Sequence, residues 1–253
     1  MKKFVVVGLQ RTGTTFIRTM IDSHPKIRCI GEAFYIAPPW RGSIWRSPEI
    51  ELGYSTYAKR SARRMAGHFL WQKNQIGDYL NELFDLPGYD AIGFKIMYNQ
   101  LLQFRSVLEH IRTHRLHIIH VVRKNALKKI VSELSVKKRG YAHSTNSVGA
   151  VKVTVPTKNL EAKLTQINKE NDKLKALFSD TLPYIRIYYE DFIEDNEKEI
   201  NKILEFLQLD YHTLSSKLKK LNPDDLSQVI ENIEEVRLYL NTTPYTRYLE
   251  ASY

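Results

Sequence analysis

Apolar positions in this chain switch between two periods. Phe4, Val5, Val6 and Val7 form an unbroken, β-branched run, the pattern of a parallel strand buried on both faces. From Thr14 the period changes, and Phe16, Ile17, Met20 and Ile21 fall on one face of a helix that Pro25 ends. Cys29 sits in a short apolar strand that follows, and further apolar runs predict strands at Ala91 to Met97, His117 to Val122 and Tyr184 to Tyr188. Helical spacing covers roughly Tyr57 to Leu70, Ile76 to Phe84, Leu101 to Thr113, Asn125 to Lys137, Lys158 to Phe178, Glu197 to Leu207 and Asp225 to Leu240, with Pro223 at the start of the last. Strands that alternate with helices predict an α/β fold of three layers, α/β/α, around a central parallel sheet.

Two stretches break the alternation. Phe34 to Tyr57 is irregular and aromatic, with Pro38, Pro39, Trp40, Trp45 and Pro48, and fits either a substrate-cleft wall or a lid packed on the core. Arg139 to Thr157 carries Gly140, Gly149, Pro156 and several Ser and Thr, which reads as a long mobile loop.

Length and composition narrow the class. A chain of 253 residues that is 43% hydrophobic can bury a full core, and one domain spanning 1–253 is expected. The lone Cys29 excludes an internal disulfide and suits a reducing compartment. Lys2 and Lys3 precede an apolar run as in a signal peptide, but Arg11 interrupts it too early. No window approaches the ~20 apolar residues of a membrane span, so a cytoplasmic location is expected. Basic residues outnumber acidic ones by 38 to 28, a net charge of +10, which favours a polyanionic ligand. Nucleic acid is the rival partner, but no helix-turn-helix, zinc-finger or RNP signature accompanies the scattered lysines, and many of these charges need be no more than a solvated surface.

The chemistry concentrates between strand and helix, where Gly8 to Gly13 make a glycine-bounded turn. Strand, glycine loop and helix N-terminus in that order direct free backbone N–H groups at an anion. Against the pattern G-x-x-x-x-G-K-[ST], Gly8, Gly13 and Thr15 fit, but Thr14 stands where the lysine belongs and the cation lies inside the loop as Arg11. The strand His117 to Val122 ends in Arg123 instead of a magnesium-binding Asp. Both departures argue against a kinase-like phosphotransferase that uses nucleoside triphosphates. Arg123 can grip a phosphate bidentately or serve a structural salt bridge. Ser132 falls on the face of the next helix that turns back toward it, with Ser135 nearly one turn further on. Lys95 and Tyr98 stand at the C-terminal end of a strand, where ligands bind in open sheets, though such a lysine is also a common surface residue. His24 at a helix end and His120 inside a strand read as structural, the first with its charge favoured by the helix dipole, and no Cys/His cluster has metal-ligand spacing.

The segment QRTGTTFIRTMIDSHP followed by IRCIGEAF resembles the 5′-phosphosulfate-binding region of sulfotransferases that use 3′-phosphoadenosine 5′-phosphosulfate, among them tyrosylprotein and bacterial nodulation-factor-type carbohydrate enzymes. The resemblance implies a P-loop nucleoside-triphosphate-hydrolase-like sulfotransferase fold, with adenosine 3′,5′-bisphosphate as product and no metal. It implies that Gln10, Arg11, Thr12, Gly13, Thr14 and Thr15 bind the donor, that Arg11 sits beside the sulfate and that Glu32 is the base. RKNALKKIVS resembles the family's 3′-phosphate site, which puts Arg123 and Ser132 there; their nine-residue step suits the carbohydrate branch. It further suggests Tyr189 as a nucleotide contact, Lys95 as an acceptor or sulfate contact, and Lys219 and Lys220 as a basic segment closing over the donor. The acceptor implied is a hydroxyl of a carbohydrate or small metabolite. The readings that compete with this one are a nucleotide kinase-like enzyme and a non-catalytic nucleic-acid-binding protein.

Overall fold

A computed structural model describes residues 1–35, 52–60, 73–141, 149–218 and 222–250. Five parallel strands run β1 (Lys2–Gly8), β2 (Ile27–Glu32), β3 (Ala91–Met97), β4 (His117–Val122) and β5 (Tyr184–Tyr188), in the order β2-β3-β1-β4-β5. Phe4 to Val7 are fully buried because β1 is central and covered on both faces. Val5 and Val7 join one core, with residues of helices α3 (Lys73–Phe84) and α5 (Arg105–Thr113). Phe4 and Val6 join the other, against α1 (Thr14–Ile21) and α9 (Asn196–Leu207). Each such apolar side chain contributes ~1.5–3 kcal/mol on burial. A third cluster unites α6 (Ala126–Arg139), α7 (Leu160–Ala176) and α10 (Ile233–Leu240). Among the described residues the remaining α-helices are α2 (Tyr54–Lys59), α4 (Tyr98–Gln103) and α8 (Tyr189–Glu194). Among the described residues no helix is long and apolar enough to cross a membrane.

Several boundaries differ from the sequence expectation. The helix expected over Leu101 to Thr113 starts at Tyr98 and breaks at Phe104, whose φ −106°, ψ 70° is not helical. The last helix shrinks to Ile233–Leu240, preceded by a single 3₁₀ turn at Leu226–Gln228. The stretch expected as a mobile loop holds a pinned strap: Val153 N–H donates to Val229 O at 2.8 Å and Val153 O accepts from Glu231 N at 2.9 Å, with Val153 and Val155 buried. The alternation V-K-V-T-V from Val151 to Val155 was the overlooked signal. Most of the aromatic stretch from Phe34 lies outside the described residues, although Tyr54 already belongs to α2.

The sheet order sets the place of the site. The connection from β1 runs to β2 on one side of the sheet and the connection from β3 crosses β1 to β4 on the other, so a crevice opens at the C-terminal ends of β1 and β4. The glycine loop and Arg123 both stand there.

Candidate active site

The loop after β1 is shaped by close approaches. A Cβ on Gly8 would lie 2.6 Å from the Val121 carbonyl oxygen and 2.8 Å from Thr14 Cγ2, so only hydrogen fits where β1, β4 and α1 converge. Gly13 has φ +91°, and a Cβ there would meet the Tyr189 ring at 2.2 Å. Arg11 adopts φ 65°, a left-handed conformation uncommon outside glycine. The fully buried Thr12 donates its hydroxyl to Leu9 O at 2.9 Å, so it braces the loop from within instead of facing the cavity. No side chain caps α1, and no acidic residue occupies its first turn; its first N–H groups remain available to an anion.

Cations gather on one wall. The Arg123 side chain, 13% exposed, sits with Nε 3.8 Å from Glu190 Oε1 and Nη1 3.5 Å from the Arg11 carbonyl oxygen. Its guanidinium lies 5.3 Å over the Tyr189 ring. Glu190 also accepts from the backbone N–H groups of Lys124 and Asn125, at 2.9 and 3.3 Å, which fixes the turn into α6. Arg123 therefore has the structural ion pair and still borders the cavity. Arg11 Nε donates to Ser132 Oγ at 3.1 Å, which places Ser132 on the face of α6 turned toward the loop. Burial lowers the pKa of both guanidinium groups; for Arg11 the charge of Arg123 adds to it, while Tyr189 and Glu190 oppose it at Arg123. Both stay charged at neutral pH, and an anion between them would relieve the cost of that crowding.

The opposite wall carries the carboxylate. A register shift between Ile30 and Glu32 brings Glu32 opposite Lys95. Lys95 Nζ donates to Glu32 Oε1 at 2.9 Å and to Thr15 Oγ1 at 2.8 Å. Lys95 is not a surface lysine: its side chain is 4% exposed against 35% for Glu32.

Both walls enclose one cavity of about 610 Å³, lined among others by Gln10, Arg11, Gly13, Thr14, Thr15, Glu32, Lys95, Arg123, Ser132 and Tyr189. That volume suits a ligand of nucleotide size. Uncapped N–H groups at one wall and buried guanidinium groups at another fit a ligand with separated anionic groups.

The sulfotransferase family profile matches residues 4–213. The chain belongs to the sulfotransferase family. Among solved structures, this sulfotransferase resembles a sulfotransferase from Alicyclobacillus acidocaldarius at 15% identity and TM-score 0.53, covering 99% of this chain and 95% of that one. It also matches sulfotransferase STF9 from Mycobacterium avium (13% identity, TM-score 0.46, 96% and 77% covered) and mouse sulfotransferase SULT7A1 complexed with PAP (16% identity, TM-score 0.42, 83% and 60% covered). At 15% identity the first of these likenesses speaks to fold alone. No curated protein matches the chain.

Other sequence candidates fall differently. Tyr98 opens α4 and packs against two apolar clusters, outside the residues that line the cavity; the strand ends at Met97, which lines it instead. Lys219 and Lys220 lie outside the described residues. His24 is not held as a cation for the helix dipole: Nδ1 accepts from Lys26 N–H at 3.1 Å, and burial lowers its pKa. Ser135 also lines the cavity, with its hydroxyl engaged, donating to Val131 O at 2.9 Å and accepting from Asn222 Nδ2 at 3.1 Å. Sequence reasoning missed Arg139, which lines the cavity from the last position of α6 and donates to Asn222 Oδ1 at 3.4 Å. The signal was the helical step Ser132, Ser135, Arg139, spaced to share one face.

Proposed function

We propose that this sulfotransferase moves a sulfuryl group from 3′-phosphoadenosine 5′-phosphosulfate to a hydroxyl of a carbohydrate or small metabolite. The observation that carries the reading is the pairing, in one cavity, of a glycine loop with an uncapped helix N-terminus and a second cationic site at Arg123 and Ser132. The bound donor would supply a sulfuryl group already activated on its 5′-phosphate.

The roles of the chain's own residues follow from their positions. Gln10, Gly13, Thr14 and Thr15 offer backbone and hydroxyl donors at the loop, and Arg123 and Ser132 hold the far phosphate. Tyr189, stacked on Gly13 and beneath Arg123, shapes the floor for the nucleoside. Glu32 takes the proton of the attacking hydroxyl, a contribution of ~10²–10⁴-fold for a positioned base. Arg11 and Lys95 stabilise charge developing on the transferring group, and the reading assigns no metal. Lys95 also orients the base, since Glu32 accepts its N–H. Residues 1–253 act as one catalytic domain in this reading: Leu218 and Asn222, beyond the matched segment, line the same cavity. The buried thiol of Cys29, the chain's one cysteine, suits a reducing, cytoplasmic setting.

A kinase-like reading has no comparable support, because β4 leads into Arg123 where a metal-binding Asp would stand. Calorimetric titration with adenosine 3′,5′-bisphosphate, and separately with ATP and magnesium, tests the donor. Tight binding of the bisphosphate that weakens ~10- to 100-fold in Arg123→Ala is expected, the loss of a charge-assisted pair of hydrogen bonds. Preference for ATP and magnesium, or no binding of either, overturns the reading.

A further inference from the structure

Arg123 stands on a turn that is held from two sides. On one side Glu190 accepts from the backbone N–H groups of Lys124 and Asn125. On the other, the fully buried side chain of Asn125 makes two bonds at once. Its Oδ1 accepts from Lys128 N–H at 2.9 Å and caps α6, and its Nδ2 donates to the Tyr248 carbonyl oxygen at 2.8 Å. That second partner lies 123 positions along the chain, in a 3₁₀ turn at Thr246–Leu249, beyond the residues 4–213 that the family profile matches. The turn is anchored in its own right. Tyr248 is 1% exposed, with its hydroxyl 3.1 Å from Asn168 Nδ2 and 3.2 Å from Asn168 Oδ1 of α7. Its ring stacks on that of Tyr245 at 5.5 Å and 16°, and the Tyr245 hydroxyl lies 2.7 Å from Thr165 Oγ1.

We propose that Asn125 is a positioning residue for Arg123: its bond to the Tyr248 carbonyl ties the turn from which the guanidinium reaches the 3′-phosphate to the segment 245–249. The inference rests on the donor reading above and extends the donor site to residues that do not line the cavity. A helix cap alone needs only an acceptor oxygen at residue 125, which serine supplies as well as asparagine. The amide adds a donor, and the donor is what reaches residue 248. An arginine side chain carries many rotamers, so a bidentate grip on phosphate is only as well placed as the backbone beneath it. Glu190 fixes that backbone through its N–H groups, and the Asn125 amide fixes it against a second element packed on α6 and α7.

A double-mutant cycle tests this without an acceptor. Adenosine 3′,5′-bisphosphate is titrated calorimetrically into wild-type protein, Asn125→Ser, Arg123→Ala and the double variant. Asn125→Ser keeps a capping oxygen but is too short to reach residue 248, and it is expected to weaken the bisphosphate about 3- to 10-fold. In the Arg123→Ala background the same substitution should cost nothing further, because Asn125 acts only through that side chain. A merely structural Asn125 gives another pattern: affinity unchanged in Asn125→Ser while its melting temperature falls, or an equal loss of affinity in both backgrounds, and either overturns the proposal. Tyr248→Phe keeps the buried ring and frees the segment from Asn168, so it should weaken the bisphosphate in the same direction; if Asn125→Ser does not fold, unchanged affinity in Tyr248→Phe overturns the proposal instead. Failure of the donor reading itself shows differently, as wild-type protein that takes up no bisphosphate, and the inference falls with it.

Discussion

Lys95 Nζ lies 2.9 Å from Glu32 Oε1, with a side chain 4% exposed against 35% for the carboxylate. The ammonium is thus the desolvated partner, and the carboxylate faces the cavity. Replacing Glu32 by Gln keeps an oxygen to accept from Lys95 but removes the counter-charge of a buried ammonium, so stability should fall by about 1–3 kcal/mol. Turnover should fall ~10²–10⁴-fold if Glu32 takes the acceptor proton. Thermal melts beside initial rates separate the outcomes: a large drop in melting temperature with rates unchanged per folded molecule would make Glu32 a structural carboxylate.

Arg139 reaches the same cavity from the end of α6 and has its Nε buried without a hydrogen-bond partner. A third cation on that wall, with Asn222 as its neighbour, should add to anion affinity without holding the phosphate alone. Arg139→Ala is expected to weaken adenosine 3′,5′-bisphosphate by about 3- to 10-fold, less than Arg123→Ala. Equal or greater loss in Arg139→Ala, read by calorimetry, would reassign the principal phosphate contact.

The loop and its cations were legible in the sequence for a physical reason. Only glycine tolerates the approach of Val121 O to residue 8 and the positive φ of residue 13, so Gly8 and Gly13 announce the geometry directly. Arg123 was legible because a strand end fixes where a side chain stands. Tyr98 was not, because helix α4 starts at that residue and turns the chain before another strand position can face the cavity. Lys95 sat inside an apolar run: Phe94 and Ile96 on either side of it join the core on the other face, which leaves Lys95 on the α1 side of β3, and its meeting with Glu32 depended on the irregular register there. The Arg11 to Ser132 bond spans 121 positions, and no local pattern encodes a contact of that range.

Gly13 is the position at which loop and floor meet. Its φ of +91° disfavours any L side chain, and a Cβ would lie 2.2 Å from the Tyr189 ring. Gly13→Ala should cost about 2–4 kcal/mol, combining backbone strain with displacement of a packed aromatic. Adding Tyr189→Ala removes the steric part and leaves the strain, so denaturant unfolding should show the double variant less destabilised than the sum of the two single ones. Strict additivity would mean that the ring is not what limits residue 13.

Acid should unfold the protein through its buried histidines. Burial, reinforced by Arg186, pushes the pKa of His120 down to about 3, and burial with His114 and Lys3 pushes that of His110 down to about 4. Unfolded histidine titrates near about 6.5. Between those values the unfolded chain binds protons that the folded chain refuses, so the stability due to neutral histidine is complete above about pH 6.5 and is lost progressively toward pH 4 and below. His120 is fully buried, with Nδ1 2.7 Å from the Tyr184 hydroxyl, and His120→Asn keeps a polar partner there that does not titrate. Melting temperatures measured from pH 4 to 7 should therefore fall less steeply with acid in His120→Asn than in wild type, His110 supplying part of the slope that remains. Parallel curves for the two proteins would show that His120 takes up no proton on unfolding and would shift the acid sensitivity to other groups.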